Sequence, residues 1–131
     1  MGMVYLAGPI DAVTSEEAKD WRTEVADKLV NMGYSTFSPA HAIMWDGDAV
    51  SALRIMKINW KALEQSDIVL VHLPPGVTTI GTIRELQKAV DLGKKVLVVT
   101  PIVEHAYLCD VQVFSSFQSA LDTLSIRSHI Q

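Results

Sequence analysis

Asp67–Val99, which reads DIVLVHLPPGVTTIGTIRELQKAVDLGKKVLVV, sets the architecture of this chain. Both ends of the stretch are continuous apolar runs bounded by turn residues, the pattern of strands buried on both faces. Between them, apolar residues recur at helical spacing from Ile83 to Val90, and Gly93 ends the segment. This pattern predicts one βαβ unit with two parallel strands and a right-handed crossover. Ligands bind beyond the carboxyl ends of such strands, where the Pro74–Gly81 loop is expected.

Glu85 follows this loop, in the predicted first turn of the helix, and two interpretations of it stay open. In the first, Thr82-Ile-Arg-Glu85 is a capping box, in which the glutamate side chain closes the helix start. In the second, Glu85 is a nucleophile, because a carboxylate near a helix N-terminus stays ionised, as covalent catalysis at a sugar carbon requires. Gly76 and Gly81 have the spacing of a phosphate-binding P-loop, but no lysine follows Gly81, so that motif is absent.

The composition is that of an ordinary globular domain. The chain has 131 residues, 49% hydrophobic and 20% charged, which predicts a single domain over residues 1–131. A formal net charge of −4 argues against non-specific nucleic-acid binding, since such binders tend to be basic. The single cysteine, Cys109, excludes an internal disulfide, and neither a signal peptide nor a membrane-spanning run is recognisable. The sequence therefore predicts a cytoplasmic protein with no nucleic-acid or membrane partner.

The rest of the chain continues the alternation of strands and helices. Val4–Ala7 is a short apolar run that ends at Gly8-Pro9, which is either a ligand loop or simply a turn. Thr14–Glu17 is a capping-box pattern for a helix that Gly33 ends. Further segments are predicted as a strand over 34–38, a helix over 50–63, a strand over 111–114 and a last helix from Phe117. This order indicates one α/β domain.

Residues 40 to 48 carry His41, Trp45, Asp46 and Asp48 with little periodicity. An aromatic, a histidine and two acids suit the wall of a base-binding pocket, and they suit a surface loop equally well. Both interpretations stay open at the level of sequence.

The chain resembles the nucleoside 2-deoxyribosyltransferase superfamily, which includes deoxyribonucleoside 5′-monophosphate N-glycosidases. The resemblance covers nearly the whole chain, from Tyr5-Leu-Ala-Gly-Pro9 through Ser66–Val69 to Gly81-Thr-Ile-Arg-Glu85. Its most specific part is the family's G-x-x-x-E motif followed by A-x-x-x-G-K-x-V, here Ala89 to Val96. The resemblance implies a flavodoxin- or Rossmann-like three-layer α/β fold with a parallel sheet of about five strands.

The resemblance also implies that Glu85 is the nucleophile that attacks the anomeric carbon. Cleavage of an N-glycosidic bond passes through an oxocarbenium-like state, which an adjacent anion stabilises. Attack gives a glycosyl-enzyme ester, and either water or a second base then releases the sugar. Water makes the protein a hydrolase, and a second base makes it a transferase.

Asn59 is the first departure from the family pattern. The family usually has an aspartate here, which can share or deliver a proton to the departing base, whereas an amide cannot act as that acid. We therefore expect Asn59 near Glu85 as an orienting residue. The proton for the departing base would then come from His41, His72 or Asp46. The alternative is a base that leaves easily without such an acid. A further alternative is a protein that binds without turnover.

Thr79 is the second departure. The transferases place an aspartate six residues before the nucleophile, where it accepts from the sugar 5′-hydroxyl, whereas the monophosphate glycosidases have a small hydroxyl residue there. Thr79 and the preceding Thr78 carry hydroxyls that donate to a phosphate, where a carboxylate would repel it. Asp11 argues against a phosphorylated substrate, because the monophosphate glycosidases tend to have basic residues in the loop after Pro9.

The leading hypothesis is cleavage of the N-glycosidic bond of a (deoxy)nucleoside 5′-monophosphate. The alternatives are a deoxyribosyltransferase that exchanges bases between free nucleosides and a non-catalytic nucleotide-binding or sensing module. The expected catalytic residues are Glu85 and Asn59, and the expected substrate contacts are Tyr5, Gly8, Pro9, Ile10, Asp11, Thr78, Thr79 and Gly81. No cofactor or metal is expected. Since family members commonly assemble, we expect a homo-oligomer, with the 50–63 helix as a candidate interface.

Overall fold

Strands and helices alternate along the chain, as the sequence predicts. A computed structural model describes residues 2–10, 13–39, 49–76, 80–101, 108 and 110–130. The elements in chain order are β1 (Met3–Ala7), α1 (Ser15–Asn31), β2 (Ser35–Phe37), α2 (Ala49–Gln65), β3 (Ile68–His72), α3 (Ile80–Asp91), β4 (Lys95–Val99), β5 (Gln112–Phe114) and α4 (Phe117–Ile130). None of the helices in the described part of the chain is long and apolar enough to cross a membrane.

The five strands form one parallel sheet in the order β2-β1-β3-β4-β5. This confirms the predicted parallel sheet and the predicted βαβ unit. The chain runs from β1 to β2 in one direction across the sheet and from β3 to β5 in the other. The order therefore reverses between β1 and β3, and ligands bind beyond the carboxyl ends of the strands at such a reversal.

Helices cover both faces of the sheet, because the side chains of each strand alternate between two cores. In β1, Val4 and Leu6 pack into the core under α1 and α4, whereas Tyr5 and Ala7 pack into the core under α2 and α3. The other four buried strand residues of each core follow the same alternation: Ile68, Leu70, Leu97 and Val99 on the first face, and Val69, Val71, Val96 and Val98 on the second. These layers explain why β1, β3 and β4 contain continuous apolar runs.

Local signals fix the ends of α1. The Thr14 hydroxyl accepts from the Glu17 amide at 3.1 Å, and the Glu17 carboxylate accepts from the Thr14 amide at 3.4 Å, so the predicted capping box is confirmed. Gly33, just after the helix, has φ 97°, a conformation in which glycine carries no steric cost.

The start of α3 differs from the prediction. The helix begins at Ile80, so Thr82 is its third residue and is buried inside it, and the Thr82–Glu85 capping box is wrong. Glu85 consequently lies in the second turn of α3 and not in the first. Because the dipole effect fades beyond the first turn, it gives this carboxylate less support than expected.

Candidate active site

Tyr5 and Glu85 meet at the reversal point of the sheet. Tyr5 is fully buried in β1 and directs its ring into the core under α2 and α3. Its hydroxyl donates a hydrogen bond to Oε2 of Glu85. The ring of Phe37, at the end of β2, stacks on the Tyr5 ring with centroids 5.5 Å apart. Tyr5 of β1, with its ring supported by Phe37 of β2, thus holds the Glu85 carboxylate of α3 in a defined position.

Burial raises the pKa of Glu85 to about 7, and the Tyr5 hydrogen bond and the positive charge of Arg22 lower it in part. The expectation that a helix dipole keeps this carboxylate ionised is therefore not met, because desolvation dominates. Burial and the Glu85 charge both raise the pKa of Tyr5, so its phenol stays protonated as a donor. The raised pKa brings the titration of Glu85 close to neutral pH, and such perturbed carboxyl groups are common at functional sites.

Arg22 is a residue of this site that the sequence interpretation missed. It lies on α1 with no exposed surface, and its guanidinium donates to the carbonyls of Leu6 at 3.3 Å, Gly8 at 2.9 Å and Ala18 at 2.6 Å. Burial lowers its pKa to about 10, so it remains a cation at neutral pH. A signal existed in the sequence: Arg22 occupies the apolar stripe of α1, and arginine is rarely fully buried without a role for its charge.

The Gly8-Pro9 turn is buried, and Ile10 after it is 41% exposed. A Cβ at position 8 would lie 2.7 Å from Cζ2 of Trp21, so the backbone passes too close to the indole for any other residue. Of the two interpretations of Gly8, the structure supports a close-packed turn at the carboxyl end of β1, next to the site. Pro9 and Ile10 follow it at the same edge of the sheet.

Asn59 lies on α2 one turn before Ala62 and Leu63, which are buried in the same core as Tyr5. Its Oδ1 is buried and has no hydrogen-bond partner among the described residues. Since α2 runs antiparallel to the strands, Asn59 is closer to the carboxyl edge of the sheet than Ala62. An unpaired buried amide oxygen costs about 1–3 kcal/mol, so Asn59 is suited to accept from a ligand.

His72 is unsuited to the role of general acid. Its ring lies on the opposite face of the sheet, with centroids 5.0 Å from Trp21 and 4.8 Å from Phe117. Burial and the nearby charge of Arg22 lower its pKa to about 4, so it is neutral at pH 7. Of the three candidate acids, this leaves His41 and Asp46, which lie outside the described residues.

Asp11, Thr78, Thr79, Trp45, Asp48 and Cys109 also lie outside the described residues. Gly81 is described: it is the second residue of α3, exposed, and a Cβ there would meet no described atom within 4 Å outside its own helix.

A cavity of about 400 Å³ lies between α1 and β2, lined by Arg22, Thr23, Ala26, Asp27, Thr36, Phe37 and Ser38. Its lining shares Arg22 and Phe37 with the carboxylate site but includes neither Glu85 nor Asn59. Among the described residues, no three His, Cys, Asp or Glu side chains come together in a way that could hold a metal ion.

Comparisons with known proteins identify the family of this chain. The model of the family described as nucleoside 2-deoxyribosyltransferase-like matches residues 2–102, which include every element from β1 to β4. The chain belongs to this family. Its members include enzymes that act on nucleosides and nucleotides. No curated protein matches the chain by sequence.

Solved structures of nucleoside 2-deoxyribosyltransferase-like proteins share the fold. A 2-deoxyribosyltransferase from Leishmania mexicana superposes with a TM-score of 0.75 at 20% identity, covering 95% of this chain and 97% of that one. A 2-deoxyribosyltransferase from Bacillus psychrosaccharolyticus superposes with a TM-score of 0.71 at 22% identity, covering 89% of this chain and 88% of that one. A CMP N-glycosidase from Clostridium botulinum superposes with a TM-score of 0.65 at 19% identity, covering 95% of this chain and 98% of that one. The match thus extends over most of each of these structures.

Proposed function

We propose that this protein cleaves the N-glycosidic bond of a (deoxy)nucleoside 5′-monophosphate, with Glu85 as the nucleophile. The observation that carries the proposal is the Tyr5–Glu85 pair at the reversal point of a parallel sheet, within the family that the chain belongs to. A buried carboxylate with a pKa of about 7 and a tyrosine donor on one of its oxygens is an unusual arrangement for a purely structural residue.

In the proposed mechanism, the ionised Glu85 attacks the anomeric carbon with the oxygen that Tyr5 does not hold. The bond between this carbon and the base breaks, and its electron pair leaves with the base, which takes up a proton. Water then attacks the anomeric carbon of the glycosyl-enzyme ester, loses a proton and frees the sugar phosphate. Glu85 returns to its carboxylate form, so one water is consumed per turnover.

Asn59 is proposed to bind substrate and not to donate the proton. Its buried Oδ1 has no partner among the described residues, and a sugar hydroxyl or an amino group of the base would provide one. The acid is proposed to be His41 or Asp46.

The choice of a nucleotide rests on Thr79, where a carboxylate would repel a 5′-phosphate. The residue directly precedes the first residue of α3, and a helix N-terminus favours an anion. A fold neighbour that is a CMP N-glycosidase supports the same choice. The second candidate, base exchange between free nucleosides, is favoured by Asp11 and by the two deoxyribosyltransferase neighbours. The third, binding without turnover, is favoured by Asn59.

The deciding experiment incubates the purified protein with a panel of nucleosides and 5′-monophosphates, each with and without a free acceptor base. Release of base from a monophosphate without an acceptor supports the proposal. Base exchange that requires an acceptor identifies a transferase, and binding without either product identifies a binding module. Glu85→Gln, assayed in parallel, removes the contribution of any contaminating enzyme.

Calorimetric titration tests the nucleotide preference separately. We expect a 5′-monophosphate to bind more tightly than its nucleoside by about 1.5–3 kcal/mol, the scale of hydrogen bonds to charged groups. Thr79→Asp should erase the difference through like-charge repulsion. Equal affinities in the unmodified protein would favour the transferase.

A further inference from the structure

We propose that the outer surface shared by α2 and α3 is a docking site for an acidic amphipathic helix of another protein. This surface, the α2/α3 seam, consists of Leu53, Met56 and Trp60 of α2 and Ile80, Arg84 and Lys88 of α3. The inference is independent of the proposed function, because the proposed reaction assigns no role to any of these six residues.

Side-chain contacts between the two helices define the centre of the seam. The Arg84 guanidinium lies 5.6 Å from the centroid of the Trp60 ring, and its Nη1 lies 4.0 Å from the Met56 sulfur. The Lys88 ammonium lies 5.5 Å from the same ring centroid. Both cations therefore rest on one indole that α2 presents to α3, and such contacts favour a cation without neutralising it.

Exposed apolar side chains concentrate on these two helices. Eight large apolar side chains are exposed among the described residues, and five of them belong to α2 or α3. Leu53, which is 50% exposed, lies one turn before Met56, and Ile80, which is 81% exposed, lies one turn before Arg84. Residues three or four apart share one side of a helix, so both extend the seam. Adjoining exposed apolar groups of this kind are typical of interaction surfaces.

The same two helices are rich in positive charge, although the chain has a net charge of −4. Their basic residues are Arg54, Lys57, Lys61, Arg84 and Lys88. None of these forms an ion pair within the part of the chain that the structure describes. The exposed acids of the helices, Glu64 and Asp91, lie in the last turns, away from Leu53 and Ile80. The seam therefore offers unpaired cations to an acidic partner.

The arrangement of these groups favours a helix over a lipid surface. Arg84 and Lys88 lie over Trp60, so cations and apolar groups alternate within one strip. Helices that enter a bilayer interface instead separate an apolar face from a charged one. An acidic amphipathic helix supplies carboxylates and apolar side chains together, and such helices bind in apolar grooves.

A second copy of this chain matches the seam less well. Two seams that face each other would bring like charges together, which opposes association. The helix α1 is rich in acidic residues, but Val30 is the one large apolar side chain that it exposes among the described residues. It would therefore pair with the cations and leave the apolar groups of the seam uncovered.

The test uses synthetic peptides as probes. The first probe is a helical peptide with leucine at alternating spacings of three and four and glutamate elsewhere, and its control has lysine in place of glutamate. Two variants alter the seam, Leu53→Asp on α2 and Arg84→Glu on α3. The matched controls are Val30→Asp and Lys19→Glu, which make the same kinds of change at exposed positions of α1. Circular dichroism and urea unfolding check the fold of each variant.

We expect the glutamate peptide to bind the unmodified protein and the lysine peptide to bind about tenfold more weakly or not at all. Each seam variant should weaken binding of the glutamate peptide by about tenfold, and each α1 variant should leave it unchanged. Added salt should weaken binding, because it screens the charges. In NMR spectra, the indole N–H signal of Trp60 should move on binding, whereas that of Trp21, on the other face of the sheet, should not.

Equal binding of the two peptides, equal losses in the seam and α1 variants, or an unmoved Trp60 signal would overturn the proposal. Two further measurements test the other occupants. Binding to vesicles of phosphatidylserine and phosphatidylcholine that Arg84→Glu abolishes would identify a lipid surface. Dimerisation in sedimentation experiments that Leu53→Asp abolishes would identify a second copy. Either result would replace the acidic helix as the occupant of the seam.

Discussion

The hydroxyl of Tyr5 donates a hydrogen bond to the carboxylate of Glu85, across a separation of 80 residues in the chain. Tyr5 belongs to the second strand from one edge of the sheet, and Glu85 to a helix that follows the neighbouring strand. The pair joins the two halves of the fold at the point where the strand order reverses. Both the Tyr5 hydroxyl and the Glu85 carboxyl group are poorly solvated. Their hydrogen bond is therefore stronger when Glu85 is ionised than when it is protonated.

Replacing the proposed nucleophile should abolish turnover without unfolding the protein. Glu85→Gln keeps the size of the side chain but cannot form a stable glycosyl ester, and we expect base release to fall by about a thousandfold or more. Glu64→Gln, an exposed glutamate at the end of α2, is the matched control and should retain full activity. A folded Glu85→Gln protein that still releases base at the original rate would exclude covalent catalysis by this residue.

The buried carboxylate should also make stability depend on pH. The pKa of Glu85 is about 7 in the folded protein, against an ordinary value of 4.5. Because the folded pKa is the higher one, its contribution to stability is complete below pH 4.5 and is lost as the pH rises through 7. Between pH 5 and pH 8, the unmodified protein should therefore lose about 2–3 kcal/mol relative to Glu85→Gln. Urea unfolding of both proteins at the two pH values measures this difference, and a constant gap would contradict the prediction.

Tyr5→Phe should move the activity profile to higher pH. The substitution keeps the ring that stacks on Phe37 but removes the donor that lowers the pKa of Glu85. Hydrogen bonds to charged groups contribute about 1.5–3 kcal/mol, which corresponds to a shift of about one to two pH units in the rising limb. Tyr34→Phe is the control. A profile with the same midpoint in Tyr5→Phe would show that the hydrogen bond does not set the ionisation of Glu85.

Two glycine substitutions should have opposite effects on stability. Gly8→Ala places a methyl group 2.7 Å from Trp21 Cζ2, and overpacking of this kind costs about 1–3 kcal/mol. Gly81→Ala meets open space inside a helix and should stabilise the fold by about 0.5–1 kcal/mol. Thermal unfolding compares the two. If Gly81→Ala is more stable but binds nucleotide more weakly, the substrate approaches the backbone at this position, as the sequence predicts.

Asn59→Asp restores the residue that the family usually has. It should raise the rate of base release or shift its pH optimum, because a carboxylic acid can donate the proton that an amide cannot. The companion variant Asn59→Ala separates binding from proton transfer: it should weaken substrate binding by removing the amide oxygen. Activity and affinity unchanged in both variants would place Asn59 outside the site.

Most of the fold can be predicted from apolar runs and capping patterns in the sequence. The apolar runs of β1, β3 and β4 indicate strands buried on both faces, and Thr14–Glu17 marks the start of α1. The start of α3 was harder to predict, because Ile80 and Gly81 are poor helix formers and the stronger signal of Thr82 lies two residues later. The state of Glu85 could not be inferred at all, since burial by neighbouring layers outweighs the local dipole. Arg22 was overlooked because a charge on an apolar stripe is usually solvated.

Because β1 pairs with β3, the site can form only late in the folding of a newly synthesised chain. Met3 and Asp67, which begin the contact between these strands, are separated by 64 residues, so a long loop must close before they meet. During synthesis, a ribosome must therefore release β3 and most of α3 before Tyr5 finds its carboxylate. In refolding, recovery of the proposed nucleotide binding should accordingly lag behind helix formation and report when β1 and β3 pair at the centre of the sheet.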